Sequence, residues 1–157
     1  QLQSLKMLTD VSHMNQRAFY DTAHYSQHPL VATHSNAHSL CPQPRNLTDE
    51  QLKVIAQSGG LVGVNFGNAF LRSDGRRDES TPLSEITRHL CYLIDTAGED
   101  HVGFGSDFDG TAVPAVLKDV TGLTLIEQSL YDEGISERVI RKVCHGNWLR
   151  ILNHFLL

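Results

Sequence analysis

The chain has 157 residues, 40% of them hydrophobic, with a formal net charge of −5 and a pI near 5.9. That length and apolar content suffice for one sizeable core, so residues 1–157 are expected to form a single unit, while an acidic balance without a basic stripe excludes nucleic acid and anionic membranes as main partners. No stretch approaches the roughly 20 apolar residues of a membrane span, and Cys41, Cys91 and Cys144, odd in number and without a CxxC spacing, exclude a disulfide framework or zinc knuckle.

Leu2, Leu5 and Lys6 read as the tail of an amphipathic helix already under way, with no charged-then-apolar leader ahead of it. Four short apolar runs follow along the chain, at 7–12, 30–33, 61–66 and 102–104. They are too short and too β-branched for helices, and each ends in polar residues, so they are expected to be parallel strands. Helical spacing fills the gaps. Residues 14–26 offer Ala18, Phe19, Thr22 and Ala23 as a buried face. Thr48 to Gln51 form a capping box ahead of Leu52, Ile55 and Ala56, with Gly59 and Gly60 as the stop. Thr81 and Pro82 open a third helix carrying Leu83, Ile86, Leu90 and Leu93 until Gly98. Beyond the fourth run only helical patterns remain, at 123–131 and from Ser136 onward, with Gly146 and Asn147 as an interruption. Residues 67–80 suit an exposed loop beside a site.

Strand and helix alternate, so the fold class is α/β: about four parallel strands with covering helices, which is half of a (β/α)8 TIM-type barrel. Four strands cannot close, so a second half, or another copy, is expected as partner.

The ends of the runs carry the chemistry. His13 closes the first and His34 the second, twenty-one positions later. Neighbouring parallel strands would set both imidazoles side by side on one rim, a metal-binding arrangement, although a lone strand-end histidine also serves as a hydrogen-bonded structural residue. In residues 103–110 (GFGSDFDG), Gly103 and Gly105 permit close backbone approach, and Asp107 would point over the same rim as a base or as a ligand. Arg45 is either a clamp for a substrate carboxylate or a surface residue beside a helix start. His24 and His28, four apart, lack the HEXXH context and read as a solvated pair. His38, His89, His101, His145 and His154 read as structural or surface residues. No phosphate loop or GxSxG elbow is present.

Together DVSHMN, ATHSNAHSLCPQPRNLTDEQL, GLVGVNF and VGFGSDFDG, in that order, resemble the membrane dipeptidase (renal-type dipeptidase) family of zinc peptidases. The resemblance implies a (β/α)8 barrel with two zinc ions at its rim, bridged by a carboxylate and a hydroxide. His13 and His34 match the histidines of one zinc, Arg45 the arginine that grips the dipeptide carboxylate, and Asp107 the acidic residue that handles protons. It also implies that the other ligands, a His-x-Asp pair and a bridging Glu, belong to an amino-terminal half lacking here, and that Ser106 stands where glycine is common. Two histidines fall one short of the three protein ligands of catalytic zinc, so the chain by itself is expected to hydrolyse nothing. Two rival readings are a non-catalytic half-barrel subunit or binding module, and a related barrel amidohydrolase acting on lactones or cyclic amides. Location follows from whatever lies upstream: without a leader there, the cytoplasm.

Overall fold

A computed structural model describes residues 5–156 of the chain, so Leu2 of the expected opening helix tail lies outside the described residues. Three strands, β1 (Val31–Ala32), β2 (Leu61–Asn65) and β3 (Val102–Ser106), form a parallel sheet in the order β1-β2-β3. Parallel neighbours need long crossovers. Between β1 and β2 lies α2 (Asp49–Gln57), and between β2 and β3 lie the short α3 (Asn68–Leu71) and α4 (Ser84–Ala97). Ahead of the sheet, α1 (Gln16–Tyr25) starts where the Asn15 side chain accepts the Ala18 N–H at 2.9 Å.

The Thr48 capping box forms as its sequence requires: Gln51 N–H donates to Thr48 Oγ1 at 3.3 Å, and Thr48 N–H to Gln51 Oε1 at 3.0 Å. By contrast, α4 begins at Ser84 rather than at Pro82. Thr81 is tied back to Asp78, its N–H and its hydroxyl both donating to the Asp78 carbonyl, and that turn delays the helix. Gly98, with φ of 95°, ends it.

The run at 7–12 forms no strand. It meets the sheet at a single parallel bridge, Asp10 to Val31, with one ladder bond from Val11 N–H to the Val31 carbonyl at 2.9 Å. The cause lies in Asp10, whose side chain takes the Thr33 N–H that a continued ladder would use. The same bond cuts β1 to two residues.

After β3 a 3-10 turn (Val120–Gly122) leads into α5 (Leu123–Asp132), then α6 (Glu137–Arg141), a π-helical turn (Lys142–Gly146) and α7 (Asn147–Leu156). Gly146 therefore marks a widened turn, not a break. No described helix is long and apolar enough to cross a membrane.

Successive strand residues face opposite sides, and two apolar clusters result. Ala32, Val62, Val64 and Val102 pack with Leu52 and Ile55 of α2 and with Ile86, Leu90 and Leu93 of α4. Val31 and Leu61, the first residues of their strands, pack instead with Trp148, Ile151 and Phe155 of α7 and with Leu8. Helix α7 thus caps the amino-terminal ends of the strands. Arg150 fastens it there by donating to the carbonyls of Gly59, Gly60 and Asp100, which precede β2 and β3. On the side of β3 away from β2, the Val102 carbonyl accepts Asn147 Nδ2 at 2.8 Å and the Phe104 carbonyl accepts Trp148 Nε1 at 2.8 Å.

Candidate metal and substrate site

The opposite, carboxyl-terminal rim holds the polar residues. Gly63 and Gly105 draw the strands together beneath it: a Cβ on either would lie 2.2 or 2.3 Å from the Thr33 carbonyl oxygen. His34 follows Thr33 directly and His13 follows the Asp10 bridge, so both imidazoles emerge side by side, with Nε2 atoms 2.9 Å apart and rings inclined by 60°. His13 is exposed and His34 half-buried.

Asp10 underlies the pair. Its Oδ1 accepts the Ser12 N–H (3.0 Å), the Ser12 hydroxyl (2.7 Å) and the Thr33 N–H (3.0 Å), while Oδ2 accepts the Thr33 hydroxyl at 2.5 Å. Burial raises the Asp10 pKa, but the bonds from Ser12 and Thr33 outweigh it and hold the carboxyl below its usual range. Thr33 Oγ1 lies 2.7 Å from His34 Nδ1, and Ser12 Oγ accepts the His34 N–H at 3.0 Å.

Asp107 stands at the end of β3 in a left-handed conformation, φ 68°, after Ser106 at φ 44°. Left-handed backbone favours glycine, so two consecutive residues with side chains hold a conformation they rarely adopt. A register shift between Val64 and Asn65 sets Asn65 opposite Ser106, and Asn65 Nδ2 donates to Asp107 Oδ2 at 2.9 Å. Asn65 is itself fixed by Asn36, which accepts the Asn65 N–H and donates to the Asn65 carbonyl. Gly110 and Thr111 N–H both donate to the Asp107 carbonyl, so the Asp109-Gly110 pair belongs to a turn, as its sequence suggests.

Arg45 is half-buried, and its Nε and Nη2 are shielded from solvent without a hydrogen-bond partner among the described residues. Its guanidinium carbon sits 5.3 Å from the centre of the Phe70 ring. It lines a cavity of about 180 Å³ with Ser12, Gln16, His38, Asn46 and Gln51; Asn46 Oδ1 is another buried atom without a partner among the described residues. A shielded, unpaired guanidinium edge is costly, and a carboxylate is its natural complement.

Charge connects these residues. Lost hydration lowers the pKa of His13 first, then the charge of Arg45 and the nearness of His34, against the pull of Asp10 and Asp107. A neutral imidazole is the form that binds metal. Zinc holding two imidazoles tetrahedrally at about 2.0–2.1 Å separates their nitrogens by about 3.3 Å, so the 2.9 Å gap needs to widen only slightly. The two rings fit one edge of such a site. Among the described residues no group of three or more His, Cys, Asp or Glu is poised to hold a metal.

The i, i+4 pair His24 and His28 does not converge. His24 packs on Tyr25, and His28 Nδ1 instead meets His154 Nε2 at 3.0 Å. His89 is wholly buried, accepting the Ala37 N–H on Nδ1 at 3.2 Å and facing the Leu71 carbonyl through Nε2 at 3.0 Å. Sequence reasoning missed Asp10, Thr33, Asn36 and Asn65. An Asp two residues before a Ser, a pattern prone to local side-chain bonding, was the available signal for Asp10.

Known proteins resemble the chain in sequence and in fold. The chain is 60% identical over 154 residues to an uncharacterized protein in the pqqA 5′ region of Klebsiella pneumoniae, covering 98% of this chain and 57% of that one. Dipeptidase ataJ of Aspergillus terreus is 37% identical over 146 residues, 92% of this chain and 35% of its own. A metallo peptidase of Rhodobacter sphaeroides, crystallised with a phosphinate mimic of the dipeptide L-Ala-D-Ala, superposes with a TM-score of 0.95 at 49% identity, over 98% of this chain and 44% of that structure. The chain therefore spans about half the length, or less, of these relatives. The sequence pattern of the family described as Membrane dipeptidase (Peptidase family M19) matches residues 1–155, and the chain belongs to that family.

Proposed function

We propose that residues 1–157 form one unit, the carboxyl-terminal half of a zinc-dependent dipeptidase, completed by an amino-terminal half-barrel that supplies the remaining ligands of a two-zinc site. The observation that carries this reading is the convergence at one rim of the His13–His34 pair, 2.9 Å apart, with the charge of an Arg45 whose Nε and Nη2 have no partner among the described residues.

His13 and His34 would hold one zinc. Bound there, the metal would supply a Lewis acid and lower the pKa of water toward about 7. Arg45 binds the free carboxylate of the substrate through Nε and Nη2, which orients the peptide and sets its length from the carboxyl end. Asp107, steadied by Asn65, takes the proton of the attacking water and returns it to the leaving amine. Preference for a carboxylate separates this reading from a lactone or cyclic-amide hydrolase, whose neutral substrates would leave Arg45 unpaired.

The test uses the protein with its barrel complete and L-Ala-D-Ala as substrate, because the Rhodobacter relative binds a mimic of it. Chelation should abolish hydrolysis and zinc should restore it. Hydrolysis indifferent to the chelator, or none from the complete zinc-loaded protein, would refute the proposal.

A further inference from the structure

We propose that Asp10 is a positioning residue: through the Thr33 hydroxyl it fixes His34 in the tautomer that presents an unprotonated Nε2 beside His13. This inference rests on the metallopeptidase reading for its purpose, but its geometry stands on bonds that involve no metal.

The hydrogens can be assigned one by one. An ionised carboxylate only accepts, so the Thr33 hydroxyl, 2.5 Å from Asp10 Oδ2, donates its single proton there. Toward His34 Nδ1, at 2.7 Å, Thr33 Oγ1 is left only as an acceptor. His34 must therefore carry its proton on Nδ1, and Nε2 keeps a lone pair. The Nε2 of His13, 2.9 Å away, then donates across the gap in the metal-free protein. Ser12 repeats the pattern on the backbone: its hydroxyl donates to Asp10 Oδ1 and accepts the His34 N–H, so both the ring and the peptide of His34 are fastened to one carboxylate. Partners of this kind, bonded to the far nitrogen of a ligating histidine, set its tautomer and orientation.

The arrangement predicts what an isosteric change does. In Asp10→Asn the carboxamide oxygen must stay at the Oδ1 position, because three donors converge on it, namely Ser12 N–H, the Ser12 hydroxyl and Thr33 N–H. The amide nitrogen then replaces Oδ2 and donates to Thr33 Oγ1. That frees the threonine proton for His34 Nδ1, the polarity of the relay reverses, and the proton of His34 moves to Nε2, where a metal must bind.

The experiment is nitrogen NMR of the histidine-labelled, metal-free natural protein, paired with zinc titration, for the wild type, Asp10→Asn, Thr33→Ser and Thr33→Val. Expected are an Nδ1–H tautomer for His34 in the wild type and in Thr33→Ser, and an Nε2–H tautomer in Asp10→Asn. Zinc binding should weaken about 10- to 100-fold in Asp10→Asn and Thr33→Val and be preserved in Thr33→Ser. An unchanged His34 tautomer in Asp10→Asn, or a zinc affinity within about twofold of wild type in both weakening variants, would overturn the proposal. A wild type with the Nδ1–H tautomer that bound no zinc would support the relay and refute the metallopeptidase reading instead.

Discussion

Acid should loosen this fold through one buried side chain. His89 of α4 joins the loop after β1 to the end of α3, since its ring bonds Ala37 N–H on one side and the Leu71 carbonyl on the other. Burial, the dominant cause, pushes its pKa from 6.5 down to about 4, against the bond to Leu71 that favours the proton. A histidine whose pKa is depressed on folding binds fewer protons in the native state than in the unfolded one. Its contribution is therefore complete above pH 6.5 and is lost as the pH falls toward 4. The gap corresponds to about 3 kcal/mol, at 1.36 kcal/mol per pH unit, a sizeable part of the 5–15 kcal/mol that is typical of a domain. Urea unfolding across that range should show the wild type losing about 3 kcal/mol more than His89→Gln, which can keep both bonds and does not titrate. Carboxylates titrate alike in the two proteins and cancel in the difference. Parallel pH profiles for wild type and variant would refute the reasoning.

Asn147→Ala removes the donor shared by the Glu99 and Val102 carbonyls; at about 1 kcal/mol per bond plus the unpaired buried acceptor, urea unfolding should show a loss of about 2–3 kcal/mol. Arg45→Met in the completed enzyme should raise KM for dipeptides with a free carboxylate at least about tenfold while leaving that for the corresponding amides nearly unchanged, because one charge-assisted bidentate pair is withdrawn only from the former. Equal effects on both substrate classes would count against Arg45 as a carboxylate clamp.

Elements specified by neighbouring residues were legible in the sequence. The Thr48–Gln51 box forms bond for bond, Gly98 stops α4, and the alternation of Val62 and Val64 with Leu61 and Gly63 divides the two faces of β2 as a strand should. Failures came where a side chain competes with the backbone. Asp10 diverts Thr33 N–H and reduces the expected first strand to one bridge, and ahead of α4 the Thr81 hydroxyl joins its own N–H on the Asp78 carbonyl and delays the helix. Nothing in a hydrophobic pattern announces either. For the candidate site, His13, His34 and Asp107 could be named from their places at the ends of runs and Arg45 from its place beside a helix start, together with the family resemblance. Their supports could not, because Asn36 reaches Asn65 across 29 positions and Asn65 reaches Asp107 across 42, and such pairings exist only once the strands are aligned. The π-helical turn at Lys142–Gly146 was likewise hidden, although it turns the buried face from the cluster of Val139, Ile140 and Val143 to that of Ile151 and Phe155.

The two side chains that sit on the outer carbonyls of β3 have a consequence for the behaviour of the isolated sheet. A terminal strand with free carbonyls and N–H groups is a template for indiscriminate pairing, and proteins usually blunt it with lysine, proline or a bulge. Here an indole and a carboxamide already engage the Phe104 and Val102 carbonyls. Any strand arriving at that side, one from a completing half-barrel included, must displace both side chains before it pairs with those acceptors, so indiscriminate edge-to-edge pairing is disfavoured there without any charge on the strand itself.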